Sequence, residues 1–418
     1  MIVRRVLFRF FLVLLAALFF LGAALLSPRP AVPPNDVPTA RDVGAMQTLA
    51  TGTLWLLRQN GPGPLVASRE TAQAAARVAA YSRPDVRAAA DIRGGMVRGQ
   101  VSIALAPHSW LNIAAAAEPF ENGADPHLRI KIGSIPVPAP LTHWVADRVI
   151  ALIWTGKTPP PTFAEVWPAL QIEDDDSAAT ATFDVPQPLV RGVQRLLGLY
   201  SESVAASARA TYLRLTGPDT YFVGPASLGA FTREAFGPDA GDLSRDAAAG
   251  RLIGMLMASS DPEFIRLAGT SLFRRDQDRP RVRTVTVEGR TDLVAHFLVS
   301  AALTANGDRH VSNAIGEVKE LSDSLAGGSG FSFVDLTADR AGTRLGELLS
   351  DPRTTRRTQE RLAEARTEDL FPMEALALSE GLSEEEFEAR YEALDAEAYR
   401  KTVARIDAAL DRLPLYRE

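Results

Sequence analysis

Residues 128–154 read LRIKIGSIPVPAPLTHWVADRVIALIW. Leu128, Ile130 and Ile132 alternate with Arg129 and Lys131, the period of a strand with one buried face. Pro136, Pro138 and Pro140 end that strand, because proline has no N–H for the ladder. From Leu141 the period changes. Leu141, Val145, Val149 and Leu152 recur at helical spacing, and a helix is expected through Trp154. The same alternation appears in Val101, Ile103 and Leu105 against Ser102 and Ala104. It returns in Thr180, Thr182 and Asp184 against Ala181, Phe183 and Val185. Ser68 is placed to cap a helix running to Tyr81. Val43, Met46, Leu49, Leu54 and Leu57 predict a helix over 40–59, stopped by the Asn60–Pro64 break. Residues 35–195 are therefore expected to form an α+β domain with a small antiparallel sheet.

The remainder reads as an all-helical C-terminal half. Leu189 to Arg274 has helical spacing around Tyr200, Leu213, Leu252 and Leu256. Val282–Val287 is a short strand or extended lead-in, and Asp292 onward is helical. Ser383–Glu386 fits a capping box opening a helix that carries Phe387, Tyr391 and Leu394. This divides the half into a helical connecting region, 196–281, and a helical module, 282–418. The polar stretch Arg274–Arg281 and the Asn60–Pro64 break are the expected flexible points.

Residues 1–34 form the fourth part, a membrane anchor with a Pro-rich stem. Phe10 to Leu26 is an unbroken apolar run, preceded by Arg4, Arg5 and Arg9. A membrane-crossing helix needs about 20 apolar residues, and residues 6–26 supply them if Arg9 snorkels. Arginines before the run and none after it until Arg29 place the N-terminus in the cytoplasm. The expectation is a single-pass inner-membrane protein with the bulk of the chain periplasmic. A cleaved signal peptide is the alternative, but its apolar region runs about 7–15 residues, and Leu25-Leu26-Ser27-Pro28 is a poor cleavage site. Ser27–Pro38 is read as an extended stem lifting the folded part off the bilayer.

The chain has 418 residues, a formal charge of −6 and no cysteine. The missing cysteine excludes disulfides and a lipobox. With no dense basic stripe, the charge argues against nucleic acid as a partner and against tight electrostatic adhesion to anionic lipid. Gly327–Gly330 has no strand before it and no Lys-Ser/Thr after it, so it reads as a hinge rather than a phosphate loop. His108, His127, His143 and His310 lack ligand spacing. Trp110, Trp144 and Trp154 are expected in the core, with a lipid- or ligand-lining role as the alternative.

Chemistry-capable residues concentrate in Asp292 to Gly342. Asp292 and His296 are four apart, as are Asp335 and Asp339, so each pair shares a helix face. Gly342 and Gly346 continue the second stripe and would let another helix approach closely. Between them lie Glu317, Glu320 and Asp323. Rotation places Glu320 and Asp323 opposite the apolar stripe of Val311, Ile315, Val318 and Leu325, which reads as a solvated acidic face unless the helix is covered on both sides. Three uses suit the set. One is a buried ion network with Arg340, Arg344 or Lys319 as counter-charges. Another is a divalent metal on Asp292, His296, Glu320, Asp335 and Asp339. The third is an acid–base pair of His296 oriented by Asp292.

The ordered pattern DLxxHFxxSAAL, GxxKExxD and GxGFSFxDLxADxxG, over about residues 290–346, resembles the C-terminal module of YfiM-like bacterial envelope proteins. It falls on Asp292, His296, Lys319, Glu320, Asp323, Phe331, Asp335, Asp339 and Gly342. Trp110-Leu111-Asn112 and residues 129–138 resemble uncharacterised proteobacterial envelope proteins. A looser likeness is to VanZ-like membrane proteins, from which this chain departs in having no further span. The resemblance implies an envelope location and a module boundary, and supplies no reaction. Location and composition together give the expected function. It is a non-enzymatic envelope scaffold, assembly or lipid-handling accessory, contacting the inner membrane and an envelope protein or lipid. The alternative is a metal-dependent hydrolase using the 292–339 cluster.

Overall fold

The computed structural model describes residues 24–46, 63–118, 128–154, 158–166, 170–174, 179–190, 201–217, 224–237, 241–259, 281–306, 309–325 and 328–417. The apolar run before Ala24, the helix beyond Met46 and most of the two expected breaks lie outside these residues. Among the described residues no helix is long and apolar enough to cross a membrane. The fold is α+β, with an antiparallel sheet followed by a helical C-terminal half. By internal packing the chain divides into two units, residues 1–38 with 45–193 and residues 39–44 with 194–418. Region 196–281 thus belongs to the same compact unit as the 282–418 module.

The first unit runs β1 (Leu26–Ser27), β2 (Gly63–Ser68), α1 (Arg69–Tyr81), β3 (Val86–Arg93), β4 (Met96–Ala106), β5 (Ser109–Ala117), β6 (Leu128–Ile132), β7 (Ile135–Val137), α2 (Ala139–Ile153), α3 (Phe163–Val166), β8 (Leu170–Asp174) and β9 (Ala179–Val185). The main sheet is an antiparallel meander, β3-β4-β5-β6-β7, and β1 pairs with β5 beside β6. A smaller antiparallel sheet has the order β2-β9-β8. Gly94 and Gly95 turn β3 into β4 with φ of 61° and 66°, the left-handed pair that a tight hairpin demands. Ser68 caps α1 by accepting from Thr71 N, and Ala76 and Ala80 pack on Ala88 of β3. Gly133 ends β6, and Pro136 sits inside β7. That strand is the sheet's edge, where a missing N–H is tolerated.

Two expectations change here. The apolar run does not stay helical to Leu26, because Leu26 and Ser27 pair with Leu111 and Trp110. The Pro-rich stem is extended, but it is not a free spacer. Ser102 Oγ, on a fully buried residue, accepts from Ala31 N at 3.0 Å and Val32 N at 3.1 Å. Asn112, paired with Ser102 across β4 and β5, accepts from Ala31 N and donates to Arg29 O. Asn35 bonds both backbone groups of Ala88 on the edge strand β3. Amides that a flexible stem would leave to water are satisfied along the sheet.

Helix α2 also departs from its reading. Its buried side is Thr142, Ala146, Ile150 and Ile153, packed with Trp154 on Phe163, Leu128 and Leu189. The stripe Leu141, Val145, Val149 and Leu152 points outward with Trp144, so that tryptophan is not in the core.

In the second unit, residues 40–46 are helical, followed by α4 (Glu202–Leu215), β10 (Ala226–Ser227), α5 (Leu228–Phe236), α6 (Arg245–Ser259), β11 (Val285–Thr286), α7 (Asp292–Asn306), α8 (Arg309–Asp323), α9 (Phe333–Ser350), α10 (Thr355–Leu362), α11 (Thr367–Leu370), α12 (Glu384–Tyr391) and α13 (Glu397–Asp411). Two helix pairs meet backbone to backbone. A Cβ at Gly254 would lie 2.6 Å from Ala208 O, and one at Gly346 would lie 2.6 Å from Ala301 O. At Gly342 a Cβ would overlap Phe297 O outright. Phe331, Phe333, Phe387, Tyr391 and Tyr399 form an aromatic cluster, with Phe331 stacked on Phe387 at 4.4 Å. The capping box of Ser383 and Glu386 opens α12.

The α7–α9 contact generates a test. Gly342→Ala must push the two helices apart, and should cost on the order of 1–3 kcal/mol in urea unfolding of the full chain. An unchanged midpoint would show that the crossing is looser than described.

Candidate functional site

The site lies where α7, α8 and α9 meet. Its approach is set by sequence-local turns. Glu288 and Gly289 have φ of 47° and 84°, and Val287 and Arg290 close the turn with reciprocal backbone bonds. That turn sends the Arg290 guanidinium back over the site, where it donates to Asp335 Oδ1 at 3.0 Å and also pairs with Asp292 and Glu380. Ser332 caps α9 by accepting from Asp335 N. In turn Ser332 N donates to Glu320 Oε2 at 3.0 Å, which ties the loop before α9 to α8.

His296 is buried at the centre. Its Nδ1 is 3.0 Å from Asp339 Oδ2, and Ser300 donates to the other Asp339 oxygen at 2.8 Å. Its Nε2 faces Lys319 Nζ at 3.1 Å and Asp335 Oδ2 at 3.7 Å. Lys319 also pairs with Asp323 at 2.7 Å and lies 3.6 Å from Glu320 Oε1. With Nδ1–H donating to Asp339, the neutral ring accepts a lysine N–H on Nε2. Gly316 makes room on α8, since a Cβ there would sit 2.9 Å from Asp339 Oδ2.

Of the seven carboxylate and histidine positions singled out in the sequence, His296, Glu320, Asp335 and Asp339 come together. Asp323 lies at the rim through Lys319. Asp292 is exposed on Arg290, so it does not orient His296. Glu317 is buried but turns to Arg340, 3.6 Å away, which is held by Asp407. Arg344 likewise goes to Asp407 and Asp411. Glu320 is not part of a solvated acidic face. It is fully buried, because α8 is covered on that side by α9 and the 328–332 loop. The side chains of Val311 and Ile315 lie outside the described residues.

The sequence reading missed Arg290, Ser300 and Ser332. Two signals were available. Ser300 lies four residues after His296 on the same stripe, and Ser332-x-x-Asp335 has the spacing of a helix start.

Burial dominates the electrostatics. It raises the Glu320 pKa to about 8, and the nearby Lys319 and His296 charges offset only part of that. Burial also raises Asp335, against the pull of His296. For His296 burial works the other way, but the hydrogen bond and charge of Asp339 outweigh it and the pKa is raised; Lys319 opposes the rise. Glu320 Oε1 is buried and has no hydrogen-bond partner among the described residues. One ligand atom each from His296, Glu320 and Asp335 falls within a 4.8 Å group, the size of a metal-binding set. The arrangement can therefore hold a cation against three donors, or pass a proton along Asp339, His296 and Lys319.

Compared with known proteins, the chain matches no family model, no curated protein and no solved structure.

The raised pKa values fix the sign of a pH dependence. Below 4.5, the ordinary Glu value, Glu320 is protonated whether the chain is folded or not. Between there and about 8 the unfolded chain has lost the proton and the native one keeps it, so stability falls as pH rises. His296 and Asp335, also raised, act in the same direction. Urea unfolding should therefore show stability declining from about pH 5 to about pH 8, by on the order of a few kcal/mol. Glu320→Gln keeps an acceptor for Ser332 N but cannot ionise, and should flatten most of the decline. A wild-type stability that climbs across that range would mean Glu320 is ionised in the native state.

Proposed function

We propose that the chain is a single-pass, membrane-anchored envelope protein with its folded units in the periplasm. In this reading it is a non-enzymatic scaffold, an assembly partner or a lipid-handling accessory. Its helical unit carries a module similar to that of YfiM-like proteins, and the His296 cluster is the ion network that fixes helix register. Lys319 carries this reading. Its ammonium stands 3.1 Å from His296 Nε2 and 3.6 Å from Glu320 Oε1, the two atoms a metal would need. The positive charge is thus supplied covalently, with Arg290 doing the same for Asp335.

The anchor reading draws support from the start of the first unit. Ala24 O accepts from Ser134 N at 2.7 Å and Ser134 Oγ at 2.9 Å, and Leu26 is a strand residue. Cleavage near Ser27 would remove both. Val6 to Leu25 spans twenty residues, which as a helix covers about 30 Å, the hydrocarbon thickness of a bilayer.

A second reading, a divalent metal serving a hydrolase, is favoured by one observation: the orphaned Glu320 Oε1 aimed at His296 and Lys319. Lys319, with half of its side chain exposed, would have to swing out to admit the ion.

Metal analysis of the purified full chain separates the two. The network reading expects no stoichiometric metal, melting unchanged by chelator, and a loss of about 1–3 kcal/mol in both Lys319→Met and His296→Ala, because each strands a buried carboxylate. Stoichiometric metal that survives in Lys319→Met and vanishes in His296→Ala would establish the metal instead.

The anchor has its own test. A reporter active only in the periplasm, fused after Glu418, should be active, and the mature chain should keep its N-terminal residues. Activity of a cytoplasm-only reporter would reject the orientation, and a mature N-terminus near Ser27 would reject the anchor.

A further inference from the structure

Helix α2 is apolar on two sides, and only one of them is used. The inner side, Ala146, Ile150 and Ile153, packs on Phe163 and Leu189, and Asp147 accepts from Phe163 N at 2.6 Å. The outer side presents Leu141, Trp144, Val145, Val149 and Leu152, exposed by 50, 55, 47, 51 and 66%. These are half of the ten exposed large apolar side chains among the described residues, gathered on one 15-residue helix. Single exposed apolar residues need no explanation, but a contiguous patch of this kind marks a surface that something covers.

The position of the helix says what covers it. The chain leaves its N-terminal apolar run at Ala24, and the carbonyl of Ala24 is held by Ser134 in the turn between β6 and β7. That turn is pressed onto Ala24 and Leu25, since a Cβ at Gly133 would overlap both carbonyls. Helix α2 starts five residues after Ser134, so its first turn lies within about 17 Å of the end of the run. No spacer intervenes, because residues 29–35 are bonded along the sheet.

We propose that the outer face of α2 lies in the surface of the lipid bilayer. The proposal rests on the anchor reading of the N-terminal run. Composition suits the interface. Trp144 is the amphipathic residue that settles at headgroup depth. Arg148, the one charged side chain among the outward residues, folds its guanidinium over the Trp144 ring at 5.4 Å and can snorkel to the phosphates. The face has no cluster of basic residues. The attachment is therefore one of apolar insertion and should be insensitive to salt.

The absence of cysteine makes the test direct. Val149→Cys, Leu152→Cys and, as a control on the exposed strand position, Glu173→Cys are labelled with a polarity-sensitive fluorophore in the full-length chain. Each is reconstituted into phosphatidylethanolamine–phosphatidylglycerol vesicles with or without bromine on the acyl chains. The expected result is flotation with the vesicles, together with a blue shift and several-fold quenching by bromolipid at 149 and 152 but not at 173. The signal should persist in high salt. Flotation with unquenched, water-like emission at 149 and 152 overturns the proposal and leaves the anchor standing. Efficient 152–152 cross-linking without quenching overturns it in favour of a second copy of the chain. Failure to float rejects the anchor, and the surface contact falls with it.

Discussion

The helical unit depends on the backbone contact between α7 and α9. Gly342 and Gly346 remove the side chains that would hold these helices apart, so that Phe297 O and Ala301 O face bare Cα atoms. Only at that separation does Asp339 on α9 reach His296 on α7 at 3.0 Å and Ser300 one turn on. Gly316 lets α8 close over the same carboxylate. A side chain at any of these glycines would lengthen the hydrogen bonds on which a buried charge depends, and an unpaired buried carboxylate is among the costliest defects a core can carry. Packing and electrostatics are therefore one constraint: the helices must touch for the charges to be tolerated.

Within the cluster each acid has a different remedy. Asp339 takes an imidazole and a hydroxyl, Asp335 takes a guanidinium, and Asp323 takes an ammonium. Glu320 is the most deeply buried and receives one backbone N–H on one oxygen. Lys319 is near its other oxygen but is committed more closely to Asp323 and His296. A proton is the remaining remedy, which is why this carboxyl rather than its neighbours keeps one near neutral pH. The same deficit makes Glu320 the one member that would gain most from a divalent ion.

The polar set was legible because i, i+4 spacing survives folding: Asp335 and Asp339 do share a face, and the small-residue continuation to Gly342 and Gly346 did foretell a close helix. Its division was not legible. Asp292 stands four residues before His296, yet Arg290 draws it outward, and that arginine is aimed by a two-residue turn whose geometry spacing does not reveal. Glu320 misled for a related reason. Rotation along α8 gives its angle from the apolar stripe, but whether a second layer covers that side depends on a loop twelve residues downstream. In the first unit, β4, β6 and β9 announced themselves by alternation. By contrast β5, a run of Trp110, Leu111, Asn112, Ile113 and four alanines, has no period, because it lies mid-sheet with both faces half-covered.

The α2 stripe shows how far periodicity reaches. Leu141, Val145, Val149 and Leu152 identify a helix correctly and its core face wrongly, because an equally regular set, Thr142, Ala146, Ile150 and Ile153, lies about 100° around the axis. A helix apolar over that much of its circumference needs two covers. The sheet unit supplies one, through Phe163 and Leu189. Where the other comes from is constrained by the way the unit begins. Ser102 and Asn112 spend their hydrogen bonds on residues 29–32, so the chain reaches the sheet already fixed and the end of the apolar run is held against the turn that leads into α2. A domain joined to a bilayer by a loose stem can present any face to it. One clamped at the first residues after the apolar run presents the same face each time, and an apolar helix on that face has a lasting second cover.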